Sequence, residues 1–374
     1  MKKQAIVAGH ICIDITPVFP AGTNPVRHVG DLMVPGKLLC VERPDIHTGG
    51  AVANTGLGMK ILGAEVTLMG KVGKDAFGGM VQNILRDYRA DGGLLVDPQS
   101  STSYSIVVAL PGVDRIFLHH SGANDTFCSG DVPEEALENA ALFHFGYPPL
   151  MRAMYENGGS DLAALFARVK AKGIATSLDL AAVDAASRAG QADWREILAK
   201  TLPFVDFFVP SFEELCFMLD REKYENLLRE AAGGDMTAVL DIQRDVRPLA
   251  EQAIRLGAKA VLLKCGKPGL FLLTSEKMAE TGRRLGLDAE AWNSRSIFER
   301  SYLVENVVSG TGAGDTSIAA FLTALLNGER PEEAMHLAAA AGALCIQDYD
   351  AVSGLKPLAE IKRLIAAGWK KYEE

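Results

Sequence analysis

The run Ser309-Gly310-Thr311-Gly312-Ala313-Gly314-Asp315, followed at once by Thr316-Ser317-Ile318-Ala319-Ala320-Phe321-Leu322, carries the clearest local signal in the chain. Three glycines alternate with small residues, one acid closes the run, and an apolar pattern begins directly after it. Ile318, Phe321, Leu322 and Leu325 fall at i, i+3, i+4 and i+7, and Asn327-Gly328 supplies a stop, so the spacing predicts a glycine loop opening a helix. A tight turn that packs strand against helix is the plainer reading of such a run. The chemical reading is that unpaired N–H groups, with the positive end of a helix dipole behind them, favour a bound phosphate. Asp315 then stands where a phosphoryl acceptor must lose its proton. Two other phosphate motifs are excluded: Asp315 takes the place of the third glycine of a dinucleotide fingerprint, and no G-x-x-x-x-G-K-[ST] run occurs.

Composition narrows the class of partner. With 374 residues, 48% of them hydrophobic, the chain has ample material for a large core, arranged as one α/β domain with an excursion or as two domains. A formal net charge of -9 gives no general attraction to nucleic acid or to an anionic membrane. Six cysteines, at 12, 40, 128, 216, 265 and 345, show no C-x-x-C pairing and read as small buried hydrophobes in a reducing cytoplasm. Met1-Lys2-Lys3 imitates the start of a signal peptide, but His10 and Asp14 interrupt the apolar run that follows, and no stretch approaches a membrane span. The expectation is a soluble cytoplasmic protein acting on a small molecule.

Upstream, residues 4 to 13 predict a buried strand with Asp14 at its carboxyl end, where open α/β sheets collect ligands; Asp14 is a candidate hydroxyl binder or a solvated turn acid. From Thr16 to Ile46 the pattern loses its period among five prolines, as in a loop or short strands standing off the main sheet. Gly49-Gly50 then opens a helix of small residues that ends at Gly63. Close packing accounts for most of its glycines and leaves Asn54, a polar residue one turn in, unaccounted for. With Gly50 it offers an amide and a bare backbone to a polyol. Segments 102 to 110 and 115 to 120 form a hairpin candidate, with His119 and His120 read as hairpin residues rather than ligands.

From Ala141 onward strand and helix patterns alternate, which argues for a doubly wound parallel sheet. Residues 220 to 250 and 276 to 303 are charge-rich and read as helical or loop decoration. Lys264-Cys265-Gly266-Lys267-Pro268-Gly269-Leu270 is a strand, a glycine turn and a strand: a plain hairpin, or a place where a flat base approaches the backbone. The alanine and glycine run from Ala338 to Ala343 implies a close neighbour.

Taken together, Gly49-Gly50-Ala51-x-Ala53-Asn54, Leu62-Gly63, Gly70-x-Val72-Gly73-x-Asp75-x-Phe77-Gly78 and Gly312-Ala313-Gly314-Asp315 resemble the PfkB/ribokinase-like carbohydrate kinases, over Ala5 to about Ile346. The resemblance implies one ribokinase-like domain spanning 1 to 374: a three-layer α/β/α fold with a mostly parallel central sheet and a small β-sheet lid, supplied by about 17 to 46 and 102 to 119. It implies ATP- and Mg2+-dependent phosphoryl transfer to a hydroxyl of a sugar, sugar derivative or nucleoside. Asp315 would match the family's general base, and Gly312, Ala313 and Gly314 its anion hole. Asp14, Gly49, Gly50 and Asn54 would match substrate-binding positions. Ser211, Lys264, Gly266, Gly269 and Thr311 would match nucleotide-side positions, and Glu214 the position tied to magnesium.

The departures are specific. Ser309-Gly310 replaces an Asp-Thr pair whose acid commonly holds a potassium-type ion, so a K+ requirement loses its main support. Ser211-Phe212-Glu213-Glu214 keeps the acid of an N-x-x-E motif and changes its amide to a hydroxyl. Leu180-Ala181-Ala182-Val183 follows Asp179 where many members carry an asparagine and then an arginine, and Cys12 replaces a polar residue. Two rivals stand beside the kinase: a non-catalytic sugar- or nucleotide-binding protein on the same fold, and, more weakly, a nucleotide-dependent oxidoreductase. The β-rich edge at 102 to 119 also suggests a homodimer formed through the lid.

Overall fold

The computed structural model describes residues 3–113 and 115–373. Its strands in chain order are β1 (Gln4–Gly9), β2 (Cys12–Thr16), β3 (Asp45–Gly49), β4 (Glu65–Met69), β5 (Lys71–Gly73), β6 (Leu95–Asp97) and β7 (Tyr104–Val108). Then follow β8 (Ile116–His120), β9 (Ala140–Gly146), β10 (Ala175–Leu178), β11 (Phe207–Phe208), β12 (Ala260–Lys264), β13 (Gly269–Thr274) and β14 (Ser296–Arg300). The main sheet runs β14-β13-β12-β11-β10-β9-β1-β4. From β12 to β4 every neighbouring pair is parallel, and β13 and β14 close the far edge antiparallel.

The parallel strands are apolar on both faces because helices cover both. Val7, Leu142 and Leu262 join a core with the helices Ala51–Ile61, Ala313–Leu326 and Pro331–Cys345. Ala8, Phe143 and Val261 point the other way, into a core with Arg152–Ala171, Trp194–Thr201 and Arg247–Arg255. The result is a three-layer α/β/α domain. The helices Ala313–Leu326 and Pro331–Cys345 pack on each other, so the small-residue run at 338 to 343 has its close neighbour. No helix among the described residues is long and apolar enough to cross a membrane.

Three expectations change. The predicted strand 4 to 13 is two strands in two sheets, and β1 ends at Gly9, whose φ of 127° and close approach to Gly146, 2.3 Å from its carbonyl oxygen for an added Cβ, admit only glycine. Asp14 therefore lies inside β2 and not at the carboxyl end of β1. Segment 276 to 303 is not mere decoration, since it contains β14. Ile297 and Phe298 face opposite cores, so this five-residue edge strand shows no one-sided period. Cys40 is exposed and Cys128 half-buried, whereas the other four cysteines are buried.

A separate small sheet, in the order β3-β2-β7-β8, is entered directly from the carboxyl end of β1, where His10 N donates to Gly146 O of β9 at 3.2 Å. β7 and β8 pair antiparallel from Tyr104–His120 to Val108–Ile116. Of the segment 17 to 46, only the start of β3 is strand; residues 17 to 44 carry one 3-10 turn, Val29–Asp31.

Candidate active site

The glycine loop is shaped by contact with the chain behind it. Gly312 sits at φ 76°, and a Cβ there would lie 2.2 Å from the Ala351 Cβ, so neither backbone nor space admits a larger residue. The helix Ala313–Leu326 starts at the next residue, which puts the N–H groups of Ala313, Gly314 and Asp315 in a first turn without carbonyl partners inside the helix. Gly314 lets the Lys264 side chain pass close by: a Cβ there would be 3.2 Å from Lys264 Cδ.

Asp315 is buried in this first turn, and two other segments hydrogen-bond its carboxylate. Asn54, from the helix Ala51–Ile61, donates from Nδ2 to Oδ2 at 2.9 Å. Tyr147, just past β9, places its hydroxyl 2.7 Å from each carboxylate oxygen. Lys264, the last residue of β12, forms a 2.7 Å ion pair with Asp179, just past β10. Burial opposes the charge on Lys264, but Asp179 and Glu214 hold its pKa above the ordinary value. Burial pushes the Asp315 carboxyl upward, while Lys264, Asn54 and Tyr147 pull against that shift without cancelling it.

A cavity of about 800 Å3 opens in front of Asp315. Of the sequence candidates, Asp14, Gly50, Asn54, Glu214, Thr311, Gly312 and Asp315 line it, together with His10, Arg115, Phe117, His119 and Tyr147. Gly49 does not line it but makes room there: a Cβ at Gly49 would sit 2.1 Å from Asp14 Oδ2. Asp14 also accepts a bond from the Cys12 thiol at 3.3 Å. Burial pushes its carboxyl up, partly offset by Cys12 and Ser105.

Ala313, Gly314, Ser211, Lys264, Gly266 and Gly269 are not among the lining residues. Gly266 and Gly269 form the turn of the β12–β13 hairpin, with Cys265 N bonded to Gly269 O at 2.8 Å. Ser211 and Glu214 make a capping box: Glu214 N donates to Ser211 Oγ at 3.1 Å, and Ser211 N donates to Glu214 Oε2 at 2.8 Å. The loop's lead-in is engaged from the lid side by Arg115, which donates to Thr311 Oγ1 and, at 3.5 Å, to Ser309 Oγ.

Among the described residues no three His, Cys, Asp or Glu side chains are grouped to hold a metal. Asp179 Oδ2 is a buried carboxylate oxygen without a hydrogen-bond partner, and Glu214 brings a carboxylate to the cavity. Two carboxylates without a cage fit a magnesium ion that keeps most of its waters and meets the protein at few points.

Sequence reasoning did not place Tyr147 or Arg115 in the site and used Asp179 only as a landmark. The signal for Tyr147 and Asp179 was positional, since both directly follow parallel strands at the sheet's carboxyl edge.

Residues 21–357 match the profile described as pfkB family carbohydrate kinase. The probable fructokinase-6 of Arabidopsis thaliana is 26% identical over 322 residues, covering 82% of this chain and 71% of that protein. The 2-dehydro-3-deoxygluconokinase of Thermoproteus tenax is 24% identical over 319 residues, covering 84% of each. A putative ribokinase II from E. coli, solved in complex with ATP and Mg2+, superposes with a TM-score of 0.70 at 20% identity, over 98% of this chain and 99% of that one. A profile match over most of the chain, on a fold with this sheet order and this glycine loop, makes the protein a member of the pfkB family of carbohydrate kinases.

Proposed function

We propose that the protein transfers the γ-phosphoryl group of ATP to a hydroxyl of a small sugar, sugar derivative or nucleoside, with Asp315 as general base. The observation that carries this reading is the Asp315 carboxylate. It is buried, raised in pKa, bonded by Asn54 and Tyr147, and faces a cavity in the first turn of a helix that opens at a glycine loop.

A sugar hydroxyl is a weak nucleophile at neutral pH, and a carboxylate whose pKa is raised is a better base for it. As the acceptor oxygen bonds to the γ-phosphorus, its proton passes to Asp315, the bond to the bridging oxygen breaks, and ADP leaves. Charge spread over the transferred phosphoryl oxygens meets the N–H groups of Ala313, Gly314 and Asp315, which are already oriented. Lys264 adds a fixed positive charge beside Gly314. Asp14, Gly49, Gly50 and Asn54 form the polyol side, where Asp14 accepts from acceptor hydroxyls. Glu214 and Asp179 would hold Mg2+ through water, and the bound ion would supply charge neutralisation between the phosphates.

The nucleotide reading of Ser211, Gly266 and Gly269 has weaker support, because the capping box and the hairpin turn already account for those residues locally. A homodimer through the small sheet is supported by β8, an edge strand on which Phe117 and Leu118 are 52% and 56% exposed.

The test is ATP consumption over a panel of sugars, sugar acids and nucleosides. Turnover with at least one acceptor is expected. Binding of acceptors or ATP without turnover across the panel would instead support a non-catalytic binding protein on this fold.

A further inference from the structure

Tyr147 is built in an unusual way for a residue with no part in the motifs. It sits at φ 66° and ψ 42°, a left-handed conformation that aromatic residues seldom adopt, between the end of β9 and Pro148-Pro149. That backbone aims the phenol at Asp315. The hydroxyl is 2.7 Å from both carboxylate oxygens and so is shared equally between them. Asn54 occupies one oxygen at 2.9 Å, and Thr55 lies 3.4 Å from the other. Tyr147 and Asp315 both line the cavity, so the phenol is bonded to the carboxylate inside the space that a mobile molecule would enter.

An acceptor hydroxyl that gives its proton to Asp315 must come within about 2.6–3.2 Å of the same oxygens. The Tyr147 hydroxyl already stands at that distance, with the same chemical group. We propose that Tyr147 is a resident stand-in for the acceptor: its hydroxyl fills the acceptor's place at Asp315 in the empty enzyme and withdraws when the acceptor binds. The inference rests on Asp315 as the base and assigns Tyr147 a positioning role.

The surroundings support such a movement. The Tyr147 ring is followed by His10 at 6.0 Å between centroids, and His10 by His119 of β8 at 5.1 Å, so a line of rings joins the base to the lid strand. Burial and the Asp315 and Asp179 carboxylates hold the Tyr147 phenol well above its ordinary pKa, so it remains a donor. The other titratable or charged groups acting on Asp315 or lining its cavity are Lys264, Asp179, Glu214, Asp14 and Cys345, with His10, Cys12, Arg115, His119, Asp125, Tyr155, Asp184 and Arg188 around the rest of the cavity. None of them is altered by removal of the phenol oxygen.

Tyr147→Phe keeps the ring and tests the inference through two pH profiles, run with an acceptor that the wild type phosphorylates. The acid limb of kcat/KM reports Asp315 in the free enzyme, and that of kcat reports it in the loaded complex. Loss of a donor to the ionised carboxylate raises its pKa. The expected result is that the limb of kcat/KM moves up by about one pH unit while that of kcat stays where it is in the wild type. If both limbs move together, the phenol remains on Asp315 during transfer; if neither moves, it has no hold on the base. Either result overturns the inference and leaves the kinase reading intact. A wild type that turns over no acceptor overturns both.

Discussion

The two walls of the cavity are made differently. On the base wall, Asp315 and Asn54 are buried and bonded to each other, and Asp179, buried behind that wall, is paired with Lys264. On the lid wall, β8 is exposed along its whole length at the edge of a four-stranded sheet, and its Phe117 and His119 line the cavity. In the proposed function, the groups that hold a carboxylate and a phosphate sit on elements packed into two hydrophobic cores. The groups proposed to select and enclose a substrate sit on an exposed strand, where few buried contacts resist movement. Substitutions on the base wall should therefore cost stability or catalysis, and substitutions on the lid should change assembly or selectivity at little cost to the fold.

The largest effect on stability is expected from Lys264→Met. It leaves the Asp179 carboxylate buried without its cation, and breaking such a pair costs about 3–5 kcal/mol. Denaturant unfolding of the single variant and of Lys264→Met with Asp179→Asn checks this. Recovery of most of the loss in the double variant is expected, and equal stability of wild type and single variant would mean that the pair is not buried as described.

His144 gives a pH-dependent effect that is absent at neutral pH and grows only in acid. Its Nδ1 is 2.9 Å from Ser177 Oγ, and burial, with a further contribution from Lys264, lowers its pKa to about 3. The folded imidazole stays neutral while the unfolded one takes up a proton below about pH 6.5. Stability is therefore full above pH 6.5 and declines by up to about 1.4 kcal/mol per pH unit as pH falls from there toward 3. His144→Asn should flatten the fall of melting temperature across that window, and an unchanged slope would assign the acid sensitivity to other groups.

On the lid, Leu118→Lys should convert a dimer to a monomer in light scattering while changing protomer stability by no more than about 0.5 kcal/mol. A wild type that is already monomeric at micromolar concentration would remove the proposed interface. The smallest effect concerns the loop's lead-in, where the Arg115 guanidinium bonds Thr311 and Ser309. With that fixed positive charge in place, replacing K+ by a large organic cation at constant ionic strength should leave turnover unchanged. A strong drop would mean that the loop binds a monovalent cation in spite of Ser309-Gly310.

The base wall was far more legible in the sequence than the lid. Gly312-Ala313-Gly314-Asp315 and Asn54 stand out because glycine runs and polar residues in apolar helices need a reason. Asp179 and Lys264 could be read only in part, because a buried ion pair 85 residues apart leaves no periodic trace. Tyr147 and Arg115 lie in segments whose pattern is set by the strands beside them, so their side chains gave no signal of direction. The lid's outline blurred for a different reason. Gly9 ends β1 and the chain enters β2 three residues later, at Cys12, so a single apolar run serves two sheets. Residues 17 to 44 hold almost no regular structure, and sequence period cannot report on a segment that has none.

The most direct measurement is the turnover of Asp315→Asn beside the wild type, on an acceptor that the wild type phosphorylates, with folding checked by circular dichroism. The amide keeps the size of the side chain and cannot take the acceptor's proton. A fall in kcat of roughly 10²–10⁴ with the fold intact is the predicted result. Turnover close to that of the wild type would contradict Asp315 as the base and, with it, the account of this site.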